Sequence, residues 1–362
     1  MREASAGTDE VRIFVPAFES PDALGLNVAT VLNLQVWQTL RRAPWPNPEH
    51  LSFGDGVVIW DKEPLEAPTH AGAERLARME NVSADMVLWG KAYRYGRGVV
   101  VQPHLTLSDG NLKRKARPER WELTLPTANG KVRLTADPPS RRYTFEPIVL
   151  DSAVVAGYSE PTSLKIHSDK TGGQVLGTVG DYFTALQHDG ENVLLVSNPG
   201  RPEQVQGWVR LPKLSETRTE VVDFAGGLVR ILRADWAGAR TLLNRVVQND
   251  HAPSALKADS LLYLGLLAEK EGRSGRQPIQ QAYDINPLSR SSAMFLVMAA
   301  FAEYTRAAVQ GAPAATRREV VQRIGRLMDD HAFLFPEEDA WFNAARAACK
   351  RLAASPSAAL PE

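Results

Sequence analysis

A single cysteine in 362 residues excludes an intrachain disulfide framework and any multi-cysteine metal site. Cys349 falls on one helical stripe with Trp341, Phe342, Ala345, Ala348 and Leu352, which makes it a small core residue. Neither sign of charge is in excess: 42 Lys and Arg balance 42 Asp and Glu. No global field therefore draws in nucleic acid or an anionic membrane, and no nucleic-acid partner is expected. No run approaches the roughly 20 apolar residues of a membrane span, and the first ten residues lack the apolar stretch of a signal peptide. The expected compartment is cytoplasmic, or periplasmic if a leader has been removed. Catalytic motifs are missing as well. The histidines at 50, 70, 104, 167, 188, 251 and 331 are scattered, and none stands in a His-x-x-x-His or His-Glu-x-x-His setting. The glycine-rich pieces at 54–56 and 171–173 lack the lysine and hydroxyl of a phosphate loop, and no Gly-x-Ser-x-Gly elbow occurs. Asp329, Asp330 and His331 form one compact polar set, but adjacent helical residues point apart. The chain reads as a non-enzyme without cofactor or metal.

What is present is the composition of a soluble globular protein, 44% hydrophobic and 23% charged. Its length exceeds one ordinary core, so two or three domains are expected. Residues 11–15 (VRIFV) form a β-branched run closed by Pro16, a buried strand. Leu24, Val28, Val31, Leu32, Val36 and Leu40 then recur at helical steps until Pro44 and Pro46. A second strand follows the 54–56 turn at 57–60, and Thr69 caps a helix carrying Ala73, Leu76 and Ala77. Residues 85–90 and 98–107, joined by a turn at 95–98, make an antiparallel hairpin. The order is that of a small α/β layer with helices on one face.

The phrase ADMVLWGKA at 84–92, entered from a helix and followed by a hairpin, resembles the amino-terminal domain of TolB-like proteins, with Ser83 in place of the usual glycine. The resemblance implies an accessory or recognition domain. Residues 112–117 (LKRKAR) are basic, and 121–125 and 131–135 alternate like strands. The basic stretch reads as a solvated loop before an edge strand, and the first domain is drawn at 11–150 with this β extension.

Between 151 and 214 the strand-like pieces are short, at 163–167, 174–179, 182–187, 192–197 and 207–210, with turn chemistry between them. Five such strands in about fifty residues specify a small barrel. LKIHS at 164–168, VLGTV at 175–179, NVLLV at 192–196 and GWV at 207–209 resemble the bacterial SH3 domain. His167 replaces the family's usual arginine and Leu194 its common aromatic. The resemblance implies peptide or cell-wall binding, or a bracing role. Tyr182, Phe183 and Trp208 are the aromatics available to line a groove, and alternation puts Tyr182 and Phe183 on opposite faces.

From 219 to 355 proline and glycine thin out and helical periodicity takes over. Trp236, Ala239, Leu243 and Val246 share one face, and Gly265 permits close helix approach. Leu264-Gly265, Gly272, Ala282 and Pro287 resemble the tetratricopeptide repeat, a helix-turn-helix of about 34 residues. Asp235-Trp236 with Ala239 looks like the second helix of a preceding repeat. Further helices are predicted at 294–308, 320–328 and 340–352. The first of these is apolar nearly all round and so belongs at a centre.

The chain is thus predicted to be a multidomain α+β protein: a small α/β layer domain, an SH3-like β-barrel at 151–214, and an all-α TPR-like domain at 219–355. The expected function is a non-catalytic adaptor whose helical domain holds another protein or peptide through Trp236 and Tyr263. Two alternatives are a cell-envelope module that binds peptidoglycan or a peptide through the barrel, and a regulatory sensor subunit of a bacterial signalling or defence assembly.

Overall fold

The computed structural model describes residues 11–21, 57–58, 69–80, 82–110, 117–127, 130–152, 155, 165–179, 183–189, 192–210 and 219–354, with 24–25, 27–29, 31–32 and 36. The protein is α+β, with sheets in the amino-terminal part and seven helices in the carboxyl-terminal part among the described residues. It packs as two compact units. One contains Met1–Arg117 and Arg141–Pro253, the other Pro118–Ser140 and Ser254–Glu362.

In the first unit, strand β1 (Arg12–Phe14) lies parallel between β2 (Val57–Val58) and β3 (Met86–Tyr95). Strand β4 (Gly98–Leu107) returns antiparallel along β3, and the turn between them places Gly96 at φ 59°. The chain then leaves for the hairpin β5 (Trp121–Thr127) and β6 (Gly130–Ala136), and comes back to lay β7 (Arg142–Thr144) and β8 (Ile148–Asp151) on β4. Helix α1 (His70–Ala77) starts at Thr69, whose hydroxyl accepts from the Gly72 amide at 3.0 Å. Its Ala73 and Ala77 pack on Phe14, Val87 and Trp89.

Helices on a single face, as the sequence order suggests, are not what this sheet has. Its order β2-β1-β3 sends the β1-to-β2 and β2-to-β3 crossovers in opposite directions, and right-handed crossovers then fall on opposite faces. α1 covers the Val87 and Trp89 side of β3. The earlier helical turn at Gly25 packs on Phe18, which a side chain at Gly90 would meet at 2.7 Å. Gly90 points to the other face by alternation.

Five short antiparallel strands follow: β9 (Lys165–His167), β10 (Val175–Thr178), β11 (Phe183–Asp189), β12 (Asn192–Ser197) and β13 (Val205–Arg210), in the order β10-β9-β13-β12-β11. β13 can cross β9 because position 207 is glycine. A β-carbon there would lie 2.5 Å from the His167 carbonyl. The His167 ring hydrogen-bonds the Gly173 carbonyl through Nδ1 at 3.0 Å and closes the turn to β10.

Helices α2 (Glu220–Leu232) and α3 (Trp236–Gln248) pack as a pair and belong to the first unit. Phe224 of α2 meets Tyr143 edge-on at 4.6 Å. The fully buried Arg230 donates to Asp235 at 2.7 Å, and the other oxygen of Asp235 caps α3 at Gly238. The sequence pattern groups these helices with the later ones, whereas their packing places them with the sheets.

The second unit stacks α4 (Ser254–Lys270), α5 (Arg276–Ile285), α6 (Arg290–Val309), α7 (Ala314–Asp330) and α8 (Ala340–Ala354). Gly265 does allow α4 to approach α5: its missing β-carbon would sit 2.4 Å from Ile279 Cγ1. α6 is the central helix and is buried over most of its circumference. By length and composition it could cross a membrane, but 67% of its apolar window is buried inside the protein. Ion pairs tie it to its neighbours, Arg306 to Glu269 of α4, and Glu303 to Arg276 of α5 and Arg323 of α7. Asp339 caps α8 by accepting from the Phe342 amide at 2.8 Å, so the acidic run before it is a helix start. The β5–β6 hairpin, read from the sequence as an extension of the first sheet, packs here on α6 and α8, with Trp121 edge-on to Phe295 at 5.4 Å.

Candidate functional site

Open parallel sheets usually bind ligands outside the carboxyl ends of their strands, where the strand order reverses. In this sheet that place lies between β1 and β3, and the chain fills it itself. Glu19 donates its amide to Gly90 O and accepts from the Ala92 amide, both at 2.9 Å. Phe18, between β1 and this contact, is 1% exposed.

Beside the start of α1 the fold assembles what the sequence left apart. His70 is the first residue of α1, Trp89 comes from β3, and His104 and Thr106 come from β4. His104 stacks on Trp89 with centroids 4.4 Å apart, and the two imidazoles are 5.7 Å apart. The Trp89 indole N–H donates to Thr106 Oγ1 at 2.9 Å, and the same oxygen lies 2.8 Å from His70 Nδ1. Thr106 is fully buried, and its hydroxyl joins the indole to the imidazole. His104 Nδ1 pairs with Thr144 Oγ1 at 3.0 Å. Burial first, then His70 and Lys91, push His104 down to about 4. Burial and Arg142 lower His70 against the opposing pull of Glu74, to which Arg142 is hydrogen-bonded at 3.1 Å. Both rings are therefore neutral near pH 7. No group of three or more metal-capable side chains occurs among the described residues. The row Trp89–His104–Thr144 follows from strand register, which residue spacing alone does not reveal.

The aromatics singled out in the sequence do not form one site. Tyr182 lies outside the described residues, as do 112–116 of the basic stretch. Phe183 opens β11 opposite Ser197. Trp208 is half-buried and stands in a cross-strand row with Leu194 and His167. Trp236 is half-buried at the first position of α3. Tyr263 is 0% exposed, a core residue of α4.

The helical unit carries its exposed apolar groups elsewhere. Ile285 at the end of α5 is 41% exposed, Leu288 in the following turn 71%, and Phe333 in the turn after α7 71%. The two turns adjoin. Tyr283 and His331 are in edge contact at 5.0 Å, Arg290 bonds Asp339 at 2.5 Å, and its guanidinium lies over the Phe335 ring at 5.4 Å. Each exposed residue is thus within two positions of a contact that joins the turns. Turn residues have no helical period, and so pattern reading passed them over.

No protein-family model matches this chain, and no curated protein or solved structure matches it.

Proposed function

We propose that the protein is a non-catalytic adaptor whose helical unit holds a protein partner. In this reading the amino-terminal part is a TolB-like recognition domain, residues 151–214 an SH3-like joint, and the helix pairs TPR-like. The glycine-mediated approach of α4 and α5 supports the last of these. The observation that carries the function is the exposure of Ile285, Leu288 and Phe333 on adjoining turns. Large apolar side chains gathered at one place on a surface mark a contact site. The partner site moves accordingly from Trp236 and Tyr263 to these turns.

The test uses the full-length chain as bait in extract of the source cell, beside a Leu288→Ser, Phe333→Ser double variant. With folding matched by circular dichroism, wild type is expected to recover proteins that the variant loses at least tenfold. Equal recovery by both would refute the assignment of the partner to these turns.

A further inference from the structure

We infer that the partner segment seated on the turns at 285–288 and 331–335 is a basic amphipathic helix. This rests on the adaptor reading of the same turns and adds the chemistry of what they take. The chain as a whole carries no net charge, yet residues 280–290 and 326–340 contain six carboxylates and only two cations, Arg290 and Arg326. Arg290 is occupied by Asp339, and Asp329 by Arg346 at 3.4 Å. Asp284, Asp330, Glu337 and Glu338 are exposed. They have no ion pair among the described residues. Exposed Leu288 and Phe333 thus stand within five positions of exposed carboxylates that outnumber the cations of the same turns.

That combination selects among occupants. A second copy in a two-fold contact would set the same carboxylates against each other, and an anionic membrane surface would be repelled. A partner with Lys or Arg beside its apolar anchors gains at both levels, because charge complementarity steers the encounter and rejects acidic competitors. The turns offer no strand edge for main-chain pairing. Recognition therefore falls to side chains, the mode in which a helix lays its i, i+3 and i+4 anchors into apolar ground.

The experiment measures fluorescence anisotropy of labelled peptides of about four helical turns with the full-length protein. The probes are a Leu/Lys peptide with Leu at helical spacing, its Leu/Glu counterpart, and a Leu/Lys peptide with the leucines scattered. The ordered Leu/Lys peptide is expected to bind at least tenfold tighter than either control. Its affinity should fall as salt shortens the Debye length, and about tenfold in either the Leu288→Ser, Phe333→Ser or the Glu337→Gln, Glu338→Gln variant. Equal binding of the scattered peptide, or none by any peptide, overturns the inference. Binding of the Leu/Glu peptide that the apolar variant abolishes overturns it too, while leaving the adaptor reading standing. A concentration-dependent dimer in sedimentation velocity, lost in the apolar variant, assigns the turns to a second copy and also overturns it.

Discussion

Thr106 joins the Trp89 indole to the His70 imidazole at a fully buried hydroxyl, so a charge on this ring falls in a poorly solvated place. A proton on His70 places positive charge on the first turn of α1, the positive end of its dipole, and near His104. Burial and Arg142 lower His70, and burial pushes the neighbouring His104 from 6.5 to about 4. Between about 6.5 and about 4 the unfolded chain binds more protons, so stability is complete above this window and falls as pH drops through it. Asp259 in α4 works in the opposite sense. Burial pushes its carboxyl from 3.8 up to about 7, so the folded state binds the extra proton and stability declines as pH rises through that interval. In thermal melts across pH 4.5 to about 8 the two opposing contributions are expected to offset each other in the wild type and to separate only when one group is replaced. A His104→Gln variant should leave a melting temperature that declines as pH rises, and Asp259→Asn should raise the melting temperature at the alkaline end. An unchanged pH profile in the first variant would show that the ring is not the titrating group.

At the scale of elements, Gly265 is the position where one atom matters most. A β-carbon there must displace Ile279, whose Cγ1 lies in the way at 2.4 Å. Gly265→Ala is expected to cost about 1–3 kcal/mol by overpacking, although alanine favours the helix itself. Urea denaturation followed at 222 nm measures it, and a stabilised variant would mean that α4 and α5 pack further apart. Elements of this kind were legible in the sequence. Periodicity located α4 to α8, the Thr69 cap and the β3–β4 hairpin, because helices and hairpins are written in neighbouring residues. Tyr263 shows where that legibility stops. Its place in an apolar run was plain, while its complete burial depends on residues that pack against α4 from other helices. The same holds for His70 and His104, 34 positions apart in the chain and brought together only by strand register and a helix start.

The whole molecule is organised by an excursion. The chain passes between the two units three times, after Arg117, after Ser140 and after Pro253, because the β5–β6 hairpin packs with helices made much later. Local pattern could not announce this, since the hairpin alternates like any strand pair and its partners are defined only in space. A fragment of residues 254–354 therefore lacks Trp121, Leu125 and Leu134, all at most 3% exposed in the full chain. It is expected to bind 1-anilinonaphthalene-8-sulfonate and to melt without a sharp transition, and Trp121→Ala in the full chain to cost about 3–5 kcal/mol. A cooperative melt of the bare fragment would show the hairpin to be dispensable. The excursion also sets a clock on the ribosome. Trp121 is translated 174 positions before Phe295, an interval of about 10–35 s at ordinary rates of synthesis. An isolated two-stranded hairpin is at best marginally stable in water. For at least that interval the hairpin has no helix to pack on, and its apolar face stays open to solvent until α6 and then α8 are made.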